Sequence, residues 1–268
     1  MSFNDVPAEA YDRFMGRYST LLAPLFLDFA GLDPAKDSSE GRRVLDVGCG
    51  TGALTAELAA ELAARFGQET IAAIDPSPPF IQAVRERYPQ VDAREANAEE
   101  LPFPDASFDA VLAQLVVHFL TDPVAGIREM RRVTRNAGVV AASVWDFAGE
   151  NSPLSVFWRA ARELDPQVRD ESLLPGAREG HLRELFVSAG LRDVIEVALE
   201  IRREHSGFDE WWAPYAGGVG PAGSYLASLD PDHRLELRER CRASLPPGPF
   251  VLTARAWAAR GMVVQAAA

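Results

Sequence analysis

Only two cysteines, Cys49 and Cys241, occur in 268 residues, so no disulfide framework can hold this chain together and a reducing cytoplasm is the expected setting. No apolar run is long enough to span a bilayer. Near the start, Asn4, Asp5 and Glu9 stand where a secretion signal needs basic residues and an apolar stretch, so no signal is expected. Basic residues are outnumbered: 27 Lys and Arg against 39 Asp and Glu, a net charge of −12. That balance disfavours broad contact with phosphate backbones, so neither nucleic acid nor a membrane is an expected partner. No His, Cys or acidic residues fall at metal-ligand spacing, and no metal is expected. Repeats and low-complexity tracts are missing too. What remains is ordinary globular material, 47% hydrophobic and 25% charged, enough for one large α/β domain or one with an inserted cap.

The chain is organised around residues 44–52, Val-Leu-Asp-Val-Gly-Cys-Gly-Thr-Gly. A short apolar run from Val44 to Val47 leads into Gly48, Gly50 and Gly52, and behind them Leu54, Leu58, Leu62 and Phe66 recur at helical spacing. This order predicts a buried strand, a tight turn and a helix, the first unit of a doubly wound α/β domain. Glycines belong where φ is positive or where a ligand lies too close for a Cβ. A nucleotide-like ligand is therefore expected on the turn. Dinucleotide sites favour G-x-G-x-x-G, with pyrophosphate on the helix N-terminus. Here the pattern is G-x-G-x-G after an acid, Asp46, which would repel a pyrophosphate and suits an ammonium or sulfonium charge.

At these residues the sequence resembles the class I S-adenosylmethionine (SAM)-dependent methyltransferases, and more narrowly their small-molecule (type 11-like) group, whose signature runs V-L-D-x-G-C-G-T-G. The resemblance implies a Rossmann-like fold: a seven-stranded, mostly parallel sheet with an antiparallel last strand and helices on both faces. A single domain over residues 1–268 is expected. Within it, a helical cover spans 8–31, the SAM-binding core 40–146, and a helical and aromatic C-terminal cap insertion 207–247. By the same resemblance Asp46, Val47, Gly48, Cys49, Gly50 and Gly52 serve the cofactor.

The remaining candidates follow along the chain. Residues 8–31 read as helical, with Tyr11, Phe14, Met15, Tyr18, Leu21, Leu22 and Leu25 forming an apolar stripe and Pro24 marking a break. The segment from Tyr11 to Tyr18 is similar to one that covers SAM, which would bring Tyr11 and Arg17 to the methionyl carboxylate; an arginine fork matches two carboxylate oxygens. A solvated arginine on an amphipathic helix is the competing account. Residues 32–43 form a polar connection. The second strand, Ile71 to Ile74, ends in Asp75, 23 residues after Gly52, where α/β nucleotide sites place an acid on ribose hydroxyls. Pro76 and Ser77 follow it, and a helix N-cap is the alternative role for Asp75. After a short third strand from Val91, Asn97 stands where relatives commonly have Asp, with Ala98 and Glu99 beside it; its amide oxygen can still accept from an adenine amino group.

A fourth strand over 107–113 places Gln114 and His118 at the carboxyl end of the sheet, where ligands of open α/β sheets bind. His118 is a candidate to orient an acceptor or act as a base, although a lone histidine among apolar residues is more often a structural hydrogen-bonder. A turn at 136–138 precedes a fifth strand over 139–145. Helices are expected at 154–164 and 181–189, and two antiparallel strands at 191–201 and 249–261. Between those strands lie Trp211, Trp212 and Tyr215, candidates to cover the acceptor pocket, or else a small core that clamps the insert.

The reading that follows is a SAM-dependent methyltransferase acting on a small-molecule acceptor by in-line displacement, releasing S-adenosylhomocysteine (SAH), as monomer or homodimer. A SAM-binding regulatory or assembly protein without turnover is the alternative. A nicotinamide-dependent oxidoreductase is a third possibility, and it lacks its G-x-G-x-x-G.

Overall fold

The computed structural model describes residues 6–31, 42–66 and 70–264, without the side chains of 61–66 and 70. Asn4, Asp5, most of the expected polar connection at 32–43, and the side chains of Leu62 and Phe66 lie outside the described residues. The chain opens with α1 (Ala8–Tyr11), a wide i to i+5 turn over Asp12–Gly16, and α2 (Arg17–Ala30). It continues as β1 (Arg43–Val47), α3 (Ala53–Phe66), β2 (Thr70–Asp75), α4 (Pro78–Arg87), β3 (Asp92–Glu95), β4 (Phe108–Gln114), α5 (Pro123–Val133) and β5 (Thr134–Trp145). The second half adds α6 (Ser155–Leu164), α7 (His181–Ser188), β6 (Arg192–His205), α8 (Phe208–Trp212), α9 (Gly220–Ser228), α10 (Pro231–Ala243) and β7 (Phe250–Met262).

The seven strands form one sheet in the order β3-β2-β1-β4-β5-β7-β6. Every pairing from β3 to β5 is parallel, while β7 runs antiparallel to both β5 and β6. The central strands are buried at successive residues, as in Ala110, Val111, Leu112 and Ala113 of β4. Consecutive burial requires cover on both faces. One layer contains α2 packed on α3, and α5 packs against α7. Strand order reverses between β1 and β4, and the loops leaving their carboxyl ends meet there. That is where an open α/β sheet offers a crevice.

The N-terminal cover departs from expectation in one respect. Pro24 lies inside α2 instead of marking its break, and the irregular turn falls earlier, at Asp12–Gly16. A proline removes one N–H and frees the carbonyl four residues back. Pro24 and Thr20 are both exposed, so water can meet that carbonyl, while Tyr18, Leu22, Phe26 and Leu27 on the buried side hold the helix to the core. Leu21 and Leu25, expected in the apolar stripe, are 37% and 41% exposed. Among the described residues, no helix is long and apolar enough to cross a membrane.

Candidate active site

The turn after β1 is drawn tight by backbone bonds: Cys49 N donates to Ile74 O at 2.9 Å, and Gly52 N to Cys49 O at 2.9 Å. Gly48 and Gly50 have φ of 67° and 53°, in the left-handed region. They are glycines for different reasons. A Cβ on Gly48 would lie 2.4 Å from Val116 Cγ2, whereas one on Gly50 would meet nothing nearer than Tyr11 Cε1 at 3.7 Å. Gly48 lets the segment after β4 pack close; Gly50 keeps a space open.

That space is a cavity of about 330 Å³, within the range of small-ligand sites. Gly48 and Gly50 form one side. Asp75 and Pro76 form another, at the end of β2, and Asn97, Ala98 and Glu99 line the loop after β3. Gln114 closes the end of β4, and Tyr11 reaches over from α1. Asp75 is 7% exposed; its two oxygens accept from Gly50 N at 2.9 Å and Ser77 N at 2.8 Å. Burial pushes its carboxyl up to about 6, against the pull of those two donors. Ser77 itself is buried and stands at the N-cap of α4. Glu99 is committed elsewhere, accepting from Asp122 N at the start of α5 at 2.7 Å. Gln114 donates to Ser19 O at 3.1 Å, and its Oε1 is buried with no partner.

Asp46, Val47, Cys49 and Gly52 stand behind this wall and do not line it. Asp46 is 1% exposed and accepts from Thr55 Oγ1 at 2.7 Å; burial pushes its carboxyl up to about 7. Its reach is into α3, and it fixes the turn from beneath. A Cβ on Gly52 would press on Tyr88 at 2.8 Å. Arg17 is likewise turned away from the cavity, toward α8. Its guanidinium bonds Glu210 Oε1 at 3.0 Å and Trp211 O at 3.1 Å. Glu210 also engages His205, whose Nε2 meets the Tyr18 hydroxyl at 3.2 Å.

Trp211, Trp212 and Tyr215 form an aromatic core with Phe14, Phe157 and Phe208. Tyr215 stacks on Phe157 at 4.8 Å and 5°. None of the three lines the cavity beside the glycine turn; their ring partners are on α6, on α8 and in the turn at Asp12–Gly16.

His118 lies in a smaller space that shares Tyr11, Leu115 and Phe119 with the main cavity. It is 5% exposed, 3.9 Å from the Phe119 ring, and burial holds its imidazole down to about 3, so it is neutral. Sequence reasoning missed three residues here. Phe80 lines the main cavity and packs its ring 5.0 Å from Tyr11. Leu115 takes a left-handed φ of 62°, a costly conformation for a side-chain residue. Glu171 is 4% exposed and accepts from Trp158 Nε1 at 2.8 Å. An isolated acid in an aperiodic loop carries no sequence signal; the apolar partner that buries it is what exposes its importance.

A family model described as a methyltransferase domain matches residues 45–142. The Mycobacterium tuberculosis (strain ATCC 25618 / H37Rv) protein named "Probable S-adenosylmethionine-dependent methyltransferase Rv3030" is 34% identical over 59% of this chain and 52% of its own. A protein of Oryza sativa subsp. japonica, named 2-methyl-6-phytyl-1,4-hydroquinone methyltransferase 2, chloroplastic, is 33% identical over 61% of this chain and 42% of its own. The chain thus spans about half the length of the curated relatives it matches. Among solved structures, the YcgJ protein of Bacillus subtilis has the same fold, with a TM-score of 0.56 and 18% identity over 93% of this chain and 99% of that one. The stretch that matches the methyltransferase-domain model, residues 45–142, holds the glycine turn and runs from β1 into β5.

Proposed function

We propose that the chain transfers a methyl group from SAM to a small-molecule acceptor. The observation that carries this reading is the pairing of an open glycine turn with a buried acid at the end of the next strand, both facing one cavity. The residues fit the donor. Asp75 uses one lone pair on each oxygen for a backbone N–H, and a carboxylate keeps further lone pairs for a vicinal diol. The unpartnered Gln114 Oε1 awaits a donor, which an ammonium or an amino group supplies. Gly50 leaves room for the ligand to lie against the backbone. Asn97 and Ala98 suit the purine end, and Tyr11 covers the middle.

SAM supplies a methyl group already activated on a positive sulfur. The chain's own work is to bind, align and exclude water, and such positioning lowers a barrier by about 7–11 kcal/mol. Tyr11 and Phe80 form an aromatic wall, whose faces attract a cation. The net charge of −12 favours a small acceptor over a nucleic acid, and the name of the rice relative, a hydroquinone methyltransferase, supports the same class. Cys49 and Cys241, both unpaired, suit the cytoplasm.

The test is calorimetry with SAM and SAH, followed by SAH release across a panel of small acceptors. Binding of both with turnover of at least one acceptor is the expected result. Binding without turnover favours a non-catalytic SAM-binding protein, and no binding by folded protein overturns the reading.

A further inference from the structure

The small space beside the cavity combines aromatic walls with buried polar groups. Its walls are apolar and aromatic, including Phe14, Phe119 and Phe147, and among the described residues no arginine or lysine lines it. Four residues with polar side-chain atoms line it: Tyr11, Glu171 at 4% exposure, His118 at 5% and Trp145 at 1%. The Trp145 indole nitrogen and His118 Nδ1 are both buried and without a hydrogen-bond partner. Such orphaned groups in a native interior call for an explanation, and a ligand atom that bonds them supplies one.

We propose that this space receives the reacting hydroxyl of an uncharged, largely apolar phenol or enol, and that Glu171 takes its proton. The inference rests on the methyltransferase reading and names the acceptor class for that site.

The donors and acceptors select the class. A carboxylate or phosphate acceptor would be stripped of water with no cation to meet it. An alkyl amine arrives as an ammonium, pairs with Glu171 and keeps a proton on the electron pair it needs. An aromatic amine can donate to Glu171 but accepts poorly from an indole N–H, and a thiol is weak in both roles. A hydroxyl does both at once, donating to the carboxylate and accepting from Trp145. Phenols and enols are far stronger acids than alkyl alcohols, so a carboxylate can take their proton as the bond to carbon forms. Flat rings also match the aromatic walls.

The atoms balance simply. The O–H bond breaks and its proton passes to Glu171. The oxygen's electron pair forms the new O–C bond to the methyl carbon while the C–S bond breaks, its pair going to sulfur and cancelling the positive charge. Glu171 then gives its proton to water. The groups that face Glu171 are Trp158, Tyr215 and Asp170, the last paired with Arg162, with His118 and Tyr11 across the space.

The space is small, about 30 Å³, yet sufficient for a water-sized group such as a hydroxyl. The hydroxyl enters this space, and the ring lies toward the main cavity, which shares Tyr11, Leu115 and Phe119 with it.

Three probes with one ring test the proposal on SAH-loaded protein: 4-nitrophenol, 4-nitroaniline and 4-nitrobenzoate, each followed by its difference spectrum. The expected result is that 4-nitrophenol binds at least about tenfold more tightly than the other two. Glu171→Gln should weaken 4-nitrophenol about tenfold or more, and Trp145→Phe about threefold or more, with SAH affinity by calorimetry unchanged in both. Equal binding of the three probes, no binding of any, or 4-nitrophenol affinity unchanged in Glu171→Gln overturns the proposal. Loss of SAH binding by the wild-type protein would overturn the methyltransferase reading instead, so the two failures are distinguishable.

Discussion

Gly48→Ala and Gly50→Ala, two residues apart on the same turn, should fail in different ways. Both positions have left-handed φ, 67° and 53°, and an alanine there costs about 1–2 kcal/mol of backbone strain. At Gly48 the new methyl also lands 2.4 Å from Val116 Cγ2, and overpacking of that kind costs about 1–3 kcal/mol more. The expected totals are about 2–5 kcal/mol for Gly48→Ala and about 1–2 kcal/mol for Gly50→Ala. Urea denaturation of the two variants measures this. A double-mutant cycle with Val116→Ala isolates the clash as a coupling of about 1–3 kcal/mol, because the pair is in direct contact. Gly50→Ala, though milder for stability, places its methyl where the cavity is open and should weaken SAH binding by about tenfold or more, about 1.4 kcal/mol. Equal destabilisation of the two variants, or no coupling with Val116, would refute the packing argument. SAH binding by Gly50→Ala at wild-type strength would refute the role given to the open side of the turn.

Other outcomes follow from the same geometry. Arg17→Ala should cost about 1.5–3 kcal/mol through its lost charged hydrogen bonds to Glu210 and the α8 backbone. It should leave SAH affinity unchanged; a large loss of affinity would restore Arg17 to the cofactor site. Trp211→Ala, at a fully buried position, should destabilise by about 3–5 kcal/mol, read by urea midpoint, again without a selective effect on SAH. Burial raises the Glu171 carboxyl from 4.5 to about 7, so the folded state holds that proton more tightly than the unfolded chain. Its contribution is complete below the unfolded value and is lost as pH rises through about 7. Glu171→Gln should therefore gain on the wild type as pH rises from about 5 to about 8, by up to about 3 kcal/mol. A difference in urea midpoint that does not change with pH would contradict the assigned burial.

Local chemistry was readable in the sequence, and long-range company was not. The β1-turn-α3 unit announces itself because apolar run, glycines and helical spacing are contiguous, and Asp75 follows because a strand's last residue must emerge at the sheet's edge. The seven-stranded sheet with antiparallel β7 came through the resemblance at residues 44–52. Pro24 misled because a proline's effect depends on whether the carbonyl it frees faces water, which only packing decides. Arg17 meets a carboxylate 193 residues away, and no local pattern foretells that pairing. The tryptophans at 211 and 212 carry two readings in the sequence because their neighbours come from afar, as Phe157 of α6 does beside Trp212 and Tyr215. Glu171 was invisible for the same reason: its burial is made by Trp158, on a different element.

The central claim is that the cavity bounded by the glycine turn and Asp75 holds the methyl donor. A crystal structure of the full chain with SAH tests it most directly. The account predicts the ribose hydroxyls on Asp75, the ligand backbone against Gly50, and a polar donor of the ligand on Gln114. SAH bound elsewhere, or bound in the cavity without contact to Asp75, would contradict it.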